Sequence, residues 1–265
     1  MSTPPPIQHL LLTLQHKPAA VDLTVLDWAA LRNRFSAEFP IFSQVARAGA
    51  MPAKVNEDVD DLPFGLPRLQ FASADLNWVV YVQDDRTSVG WARTTPLAQD
   101  PSYPGFSAVL EKALDIFNRV AFFHNDVSSS NARPAVAEIS YTDGFDRYNE
   151  DGSKRSLQDM FTCFQSQDDF TFNKFNMVFH RALRLDEANG VTGQSQTVIS
   201  GFHANPTGEA VVNLHTIVRF TVGDIAETRD SYKEMQARFE AGHQVAKNIF
   251  QTLVKQDEAA IYSRP

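Results

Sequence analysis

Apolar residues recur at every second position over residues 209–222, which is the period of a strand with one buried face. The set in phase is Ala210, Val212, Leu214, Thr216, Val218, Phe220 and Val222. A similar alternation marks residues 171–185 and 194–203, and a turn at 205–208 joins the last two segments as a hairpin. These three segments are predicted to be consecutive antiparallel strands.

Five more segments carry strand patterns bounded by turn residues. They are residues 7–16, 68–73, 77–84, 87–93 and 135–142. The second, third and fourth are separated only by Ala74-Asp75 and Asp85-Arg86, so they are predicted to be consecutive and antiparallel.

Helical spacing of apolar residues predicts four helices. They cover residues 25–39, 103–123, 156–164 and 228–261. Asp22 or Thr24 can cap the first helix, and Ser153 or Ser156 the third. In the last helix, Gly242 lies on the apolar stripe, which predicts a close approach to the sheet at that point.

Both halves of the chain follow the pattern strand, helix, three strands, helix. We therefore predict a single α+β domain over residues 1–265, with pseudo-halves of about 1–127 and 132–265. Its sheet is expected to be curved and antiparallel, with about eight strands and with the helices on one face.

The segment of residues 43–66 contains prolines, glycines and an acidic run, and is predicted to be a long surface loop. Leu62, Phe64 and Leu66 follow the acidic run. Apolar residues beside charges in a loop suit a segment that becomes ordered on binding, so these three are candidate binding residues. The plainer alternative is an uninvolved surface loop.

The charge balance disfavours two classes of partner. Lys and Arg number 24 against 32 Asp and Glu, a net charge of −8, and no basic stripe is present. Nucleic acid and anionic membrane surfaces are therefore not expected as partners. No apolar run approaches the roughly 20 residues of a membrane span, and the first residues lack a signal-peptide pattern, so the cytoplasm is the predicted compartment.

Standard catalytic and cofactor signatures are missing. The sequence contains no dinucleotide glycine motif, P-loop, nucleophile elbow or paired-histidine zinc motif, so no catalytic residue, metal ligand or cofactor is predicted. Cys163 is the only cysteine, which excludes an internal disulfide. It lies between Phe161 and Phe164, which favours a buried thiol over a nucleophile.

Three histidines lie on the three consecutive strands of the second half, namely His180, His203 and His215. His180 and His215 fall in the polar phases of their strands and are candidate binding residues. A metal or catalytic cluster would require these side chains to converge, and solvated surface histidines are the favoured alternative. The polar set Glu138, Ser140 and Thr142 is interpreted as a solvated sheet face, with a pocket wall as the alternative.

Several short motifs resemble a known family. They are Phe39-Pro40, Val80-Tyr81-Val82-Gln83-Asp84-Asp85-Arg86, Tyr103-Pro104-Gly105-Phe106, and the helix of residues 239–250 followed by Leu253. Together they resemble a family of sporadically distributed bacterial proteins of similar length that has no established activity. The resemblance implies a related fold and a link to mobile-element or phage-defence genes. Where that family has an Arg-Tyr-Asn strand, this chain has Ser140-Tyr141-Thr142-Asp143.

Three functions from different classes remain after these exclusions. The favoured one is a non-enzymatic protein-interaction module, with a protein partner or a second copy, that serves as an accessory or neutralising subunit in a bacterial defence or toxin system. The alternative is a protein that binds a small apolar ligand in a pocket between the sheet and the C-terminal helix. Candidate lining residues are Trp78, Trp91, Phe175 and Phe179. An enzyme with a site near His180 and His215 is the third hypothesis.

Overall fold

The computed structural model of the chain contains nine strands and four helices among the residues that it describes. It describes residues 7–17, 19, 23–49, 67–94, 103–128, 133–146, 155–164, 176–186, 191–204, 210–222 and 231–256. The strands are β1 (Ile7–Lys17), β2 (Ile41–Val45), β3 (Arg68–Ala72), β4 (Trp78–Gln83), β5 (Arg86–Ala92), β6 (Arg133–Asp146), β7 (Asn176–Asp186), β8 (Val191–Ala204) and β9 (Ala210–Thr221). The helices are α1 (Val25–Phe35), α2 (Phe106–Val127), α3 (Leu157–Met160) and α4 (Ser231–Leu253).

All nine strands belong to one open, curled sheet in the order β2-β3-β4-β5-β1-β6-β9-β8-β7. Every neighbouring pair is antiparallel. In each half, the first strand lies beside the last one, so β1 pairs with β5 and β6 pairs with β9. The two halves meet where β1 pairs with β6, at the centre of the sheet. From the centre outward, β1-β5-β4-β3 and β6-β9-β8-β7 follow the same order, and β2 adds a fifth strand to the first half.

The helices cover one face of this sheet, as the sequence predicted. Buried side chains of α1, α2 and α4 form one hydrophobic cluster with Leu10 of β1 and Trp91 of β5. The short helix α3 contributes Met160 to a second cluster with Phe145 and Leu214. Both clusters use the apolar phase of the strands, so one face of the sheet is covered by helices. The opposite face carries the polar phase, and we call it the polar face.

The ends of the short helices follow from local hydrogen bonds. Thr24 is the N-cap of α1, and its side chain and that of Asp27 form a capping box. Ser156 and Asp159 form the same arrangement at α3. Each capping box satisfies backbone N–H groups that the first turn of a helix leaves unpaired. Of the caps predicted from the sequence, Thr24 and Ser156 are therefore the ones used.

Helix α4 approaches the sheet closely at Gly242. A Cβ atom at this position would lie 2.8 Å from Phe220 and 2.9 Å from Ile139. Only glycine fits between the helix and these two side chains without a shift of the packing. The close contact predicted from the sequence is thus present, and it brings Phe239 and Ala246 into the core on either side.

Strand β2 is the main difference from the predicted elements. Ser43, Gln44 and Val45 were expected to begin a loop, but they pair with β3 through its residues Arg68, Leu69 and Gln70. The sheet consequently has nine strands where about eight were expected. Residues 50–66 of the predicted loop, including Leu62, Phe64 and Leu66, lie outside the described residues.

No helix within the described residues has an apolar stretch long enough to span a membrane.

Candidate functional site

A row of polar side chains crosses the middle of the polar face on six adjacent strands. Strand register places the following residues side by side: Tyr81 of β4, Ser88 of β5, Thr13 of β1, Glu138 of β6, Arg219 of β9 and Gln194 of β8. Ser88 is 1% exposed, Thr13 3% and Glu138 8%. We call this set the central row. Four of its six side chains, those of Thr13, Ser88, Glu138 and Gln194, are buried although the described helices all cover the other face.

Arg68 of β3 reaches over one end of the central row. Its Nη2 donates a hydrogen bond to Ser88 Oγ at 3.3 Å, and Ser88 Oγ also accepts one from Thr13 Oγ1 at 2.9 Å. The guanidinium carbon lies 4.0 Å from the centre of the Tyr81 ring, a cation–π contact. The Nε of Arg68 is buried and has no hydrogen-bond partner within the described part of the chain.

The charge of Arg68 is not neutralised by an ion pair with any described residue. Burial, and to a smaller extent the nearby charge of Arg86, lowers the pKa of its guanidinium. An arginine keeps its proton even so, because its ordinary pKa is far above neutral. The side chain is therefore a partly desolvated cation, which is costly unless an acceptor or an anion satisfies it.

Glu138 lies between two arginines on this face. It forms a partly buried ion pair with Arg219 Nε, and it is close enough to Arg68 for its charge to favour the guanidinium's charged form. Two positive charges and one negative charge thus occupy the centre of the polar face. This local excess of positive charge stands against a net charge of −8 for the whole chain.

Two histidines lie on the polar face near the central row, two rows away from it along the strands. His9 and His215 both pair with Thr142, which lies between them on β6. The ring Nε2 of His215 is 2.8 Å from Ser140 Oγ. Burial and the neighbouring His215 lower the pKa of His9 to about 4, and burial lowers that of His215. Burial thus favours the neutral form of both rings.

At one end of strands β4, β5 and β1, the polar face ends in a network of paired charges. Arg86 binds both carboxylate oxygens of Asp85, at 3.0 and 2.7 Å, and Gln83 and Gln15 donate to the same carboxylate. Burial opposes the ionisation of Asp85, but the hydrogen bond and charge of Arg86 outweigh it, so the pKa of the carboxyl is lowered. Asp85 is fully used inside this network. Its carboxylate is therefore occupied by these partners and forms no ion pair with Arg68.

The structure separates the two histidines predicted as binding residues. His180 is exposed on β7, whereas His215 is largely buried and contacts Ser140. Register places His180 opposite Gln196 and His215 opposite Val198, so the two histidines lie in different rows with β8 between their strands. His203 lies in β8, but the placement of its side chain is outside the described residues.

A metal centre is not supported by the residues that the structure describes. Among them, no group of three or more His, Cys, Asp or Glu side chains could hold an ion. Cys163 is half-buried against the second hydrophobic cluster, and burial raises the pKa of its thiol. That shift keeps the sulfur protonated, which is the opposite of an activated nucleophile.

The polar set Glu138, Ser140 and Thr142 required correction. Glu138 and Ser140 are 8% and 7% exposed, so the preferred interpretation as a solvated face is wrong for them, and the pocket-wall alternative stays a prediction. Arg68, Tyr81, Ser88 and Arg219 were not identified from the sequence. The available signal was the position of each side chain in the polar phase of its strand, and of the four only Arg219, on β9, lies on a strand that pairs with the strand of Glu138.

No known family model matches the chain, and no curated protein is significantly similar to it, so the resemblance to a family of sporadically distributed bacterial proteins stays a prediction.

Proposed function

We propose that the protein binds a small anionic molecule on the polar face of its sheet. The observation that carries this proposal is the guanidinium of Arg68, which is partly desolvated and has no acidic partner among the described residues. A bound anion would supply the missing acceptor for its Nε and offset the cost of burial. This is a binding function, as in the alternative hypothesis, with a polar ligand in place of an apolar one.

The groups around Arg68 indicate the chemistry of the ligand. A guanidinium presents parallel N–H groups that match a carboxylate or a phosphate. Arg219 lies across Glu138 and adds a second cation, and Ser88 and Thr13 add hydroxyl groups. A small di- or trianion with several oxygen acceptors fits this set better than a neutral or cationic molecule.

The test compares Arg68→Gln with the wild-type protein in titration calorimetry with phosphate, pyrophosphate and citrate. We expect at least one of these anions to bind the wild type, and Arg68→Gln to weaken that binding by about tenfold or more. Arg68→Lys should restore it only in part, because an ammonium group lacks the planar fork. The control is Arg32→Gln, which removes an exposed arginine from α1.

A second readout separates binding from structure. Arg68 is desolvated without an ion pair, so Arg68→Gln should leave the free energy of unfolding of the ligand-free protein unchanged or slightly higher. Anion binding that is equal in the wild type and in Arg68→Gln contradicts the proposal. So does the absence of binding by all three anions.

The protein-interaction function is a second candidate because of strand β7. Within the described residues β7 ends the sheet and pairs only with β8, and its Val178 and Phe179 are 47% and 36% exposed. An exposed edge with apolar side chains is a template for a further strand. The substitution Val178→Lys should abolish self-association in sedimentation experiments if a second copy pairs there. A wild-type protein that stays monomeric at high concentration argues against a homo-oligomer.

A further inference from the structure

A cavity of about 390 Å³ lies on the other face of the sheet, between α4 and strands β7 and β8. Its walls are the apolar side chains of Phe179 and Leu183 on β7 and of Val245 and Ile249 on α4. Its volume is within the range of small-molecule sites in proteins. The cavity is separate from the central row, because Phe179 and Leu183 lie on the helix-covered face of the sheet and the central row lies on the polar face.

Strand register explains why the core is interrupted at this position. Phe179 pairs with Thr197, which pairs with Thr216, and Arg181 pairs with Ser195. On one side of these rows lies the hydrophobic cluster that contains Phe220, and on the other side the cluster that contains Leu214. Hydroxyl side chains replace apolar ones between the two clusters, so the cavity lies at their boundary.

The floor of the cavity offers hydrogen bonds that no described residue uses. Ser195 and Thr197 are each 3% exposed and line the cavity, and neither hydroxyl has a side-chain partner in the described part of the chain. Beside them, the hydroxyl of Thr216 is buried and also lacks a partner there. A ligand that only filled apolar space would leave these groups unsatisfied, at a cost.

Arg181 gives the site a charge. It lines the cavity next to Ser195, and it has no ion-pair partner within the described residues. Since the side chain is exposed, it lies at the open side of the cavity. The arrangement is an apolar wall with a cation and two hydroxyl groups at one side.

We propose that this cavity is a second ligand site, which takes an amphipathic carboxylate. The hydrocarbon part packs against Phe179, Leu183 and Ile249, and the carboxylate accepts hydrogen bonds from Arg181, Ser195 and Thr197. This site is independent of the polar face, and its occupancy does not require the anion proposed for Arg68.

Titration calorimetry with decanoate as the probe tests the proposal, with decanol as the neutral analogue of the same chain length. We expect saturable decanoate binding and binding of decanol that is at least about tenfold weaker. Arg181→Gln should remove this preference for the carboxylate without weakening decanol binding. Lys233→Gln is the matched control, because it removes one exposed positive charge from α4 away from the cavity.

Ile249→Trp places an indole in the cavity and should abolish binding of both probes. If circular dichroism shows that this variant does not fold, Val245→Phe takes its place with the same expectation. Arg68→Gln should leave decanoate binding unchanged, so failure at one site is distinguishable from failure at the other. Three results overturn the proposal: no saturable decanoate binding, equal affinity for decanol, or binding that survives in the folded cavity-filling variant.

Discussion

Two buried residues, His16 and His124, form a pair of histidine rings in the core. Their ring centroids are 6.3 Å apart in an edge-on arrangement, on the helix-covered face. Burial, together with the repulsion of His124, lowers the pKa of His16 to about 4, and burial lowers that of His124 to about 4. Both rings are therefore neutral at pH 7, and they cannot gain a proton without disturbing the core.

This pair predicts a loss of stability in mild acid. Histidine ordinarily has a pKa of about 6.5, so between pH 6.5 and 4 the unfolded chain binds protons that the folded chain does not, and stability falls as the pH falls. Each such histidine should reduce the free energy of unfolding by about 2 kcal/mol between pH 7 and pH 5. Urea unfolding of wild type and His124→Phe at both pH values measures this loss.

His124→Phe should lose less stability than the wild type over this range, because one titrating group is gone. His180→Gln, at an exposed position on β7, is the control and should behave as the wild type does. Equal losses in His124→Phe and the wild type would mean that His124 does not titrate in this way.

Gly242 provides a prediction in which two effects have opposite signs. Alanine favours helix over glycine by about 1 kcal/mol, but a Cβ at this position meets Phe220 and Ile139 at under 3 Å. Overpacking of this kind costs about 1–3 kcal/mol, so Gly242→Ala should be destabilising in urea unfolding. The control is Ala241→Gly at the neighbouring exposed position, which measures the effect of helix propensity alone. If Gly242→Ala is instead more stable than the wild type, the helix can move away from the sheet to make room for the methyl group.

At the scale of elements, α4 shows how far periodicity identifies buried positions. The stripe read from the sequence predicted that Phe239 and Ile249 are both buried. Phe239 is buried as predicted, with 0% exposure, between the rings of Phe117 and Phe220. Ile249 is only half-buried because it faces the cavity, and Phe250 takes the buried position instead. The packing partner, which the sequence does not specify, decides which residue of the last turns is covered.

The two positions should differ in their effect on stability. Phe239→Ala removes a fully buried ring and should cost about 3–5 kcal/mol of the free energy of unfolding. Ile249→Ala should cost about 1 kcal/mol, because the side chain is only partly buried and lines the cavity. Urea unfolding of both variants tests the difference, and equal costs would contradict the half-buried position of Ile249.

The strands differ in how much their sequences predict. In β9 the alternation is unbroken, and Val212, Leu214, Val218 and Phe220 are all fully buried, as predicted. Strand β2 was missed because it is short, and its residues are exposed or half-buried without an apolar alternation. A strand at the edge of a sheet is held by backbone pairing on one side, and that pairing leaves little trace in the side-chain pattern.

For the whole molecule, the central row could not be predicted because it depends on register. Glu138 was identified on the polar phase of β6, but its partner Arg219 and the nearby Arg68 come from β9 and β3, which are remote in sequence. A shift of one residue in any pairing would turn these side chains to the other face. The fold class and the single covered face followed from patterns within segments, whereas the site follows from pairings between them.

The whole-molecule charge leads to one further prediction. With a net charge of −8 and no basic stripe, the protein should not bind nucleic acid. Fluorescence anisotropy with a labelled duplex and a labelled single strand, near physiological salt, should detect no micromolar binding. Micromolar binding that weakens steeply with added salt would contradict this expectation, and it would identify the arginines of the polar face as the first candidates for the contact.

The central position of β1 has a consequence for the way the chain reaches its fold. β1 is synthesised before both of its neighbours, β5, which ends at Ala92, and β6, which ends at Asp146. At a synthesis rate of about 5–20 residues per second, β1 waits several seconds for the first neighbour and longer for the second. During this time a strand with Leu10, Leu12 and Leu14 on one side has two unpaired edges. The strand at the centre of the finished sheet is thus the one that waits longest for its neighbours during synthesis.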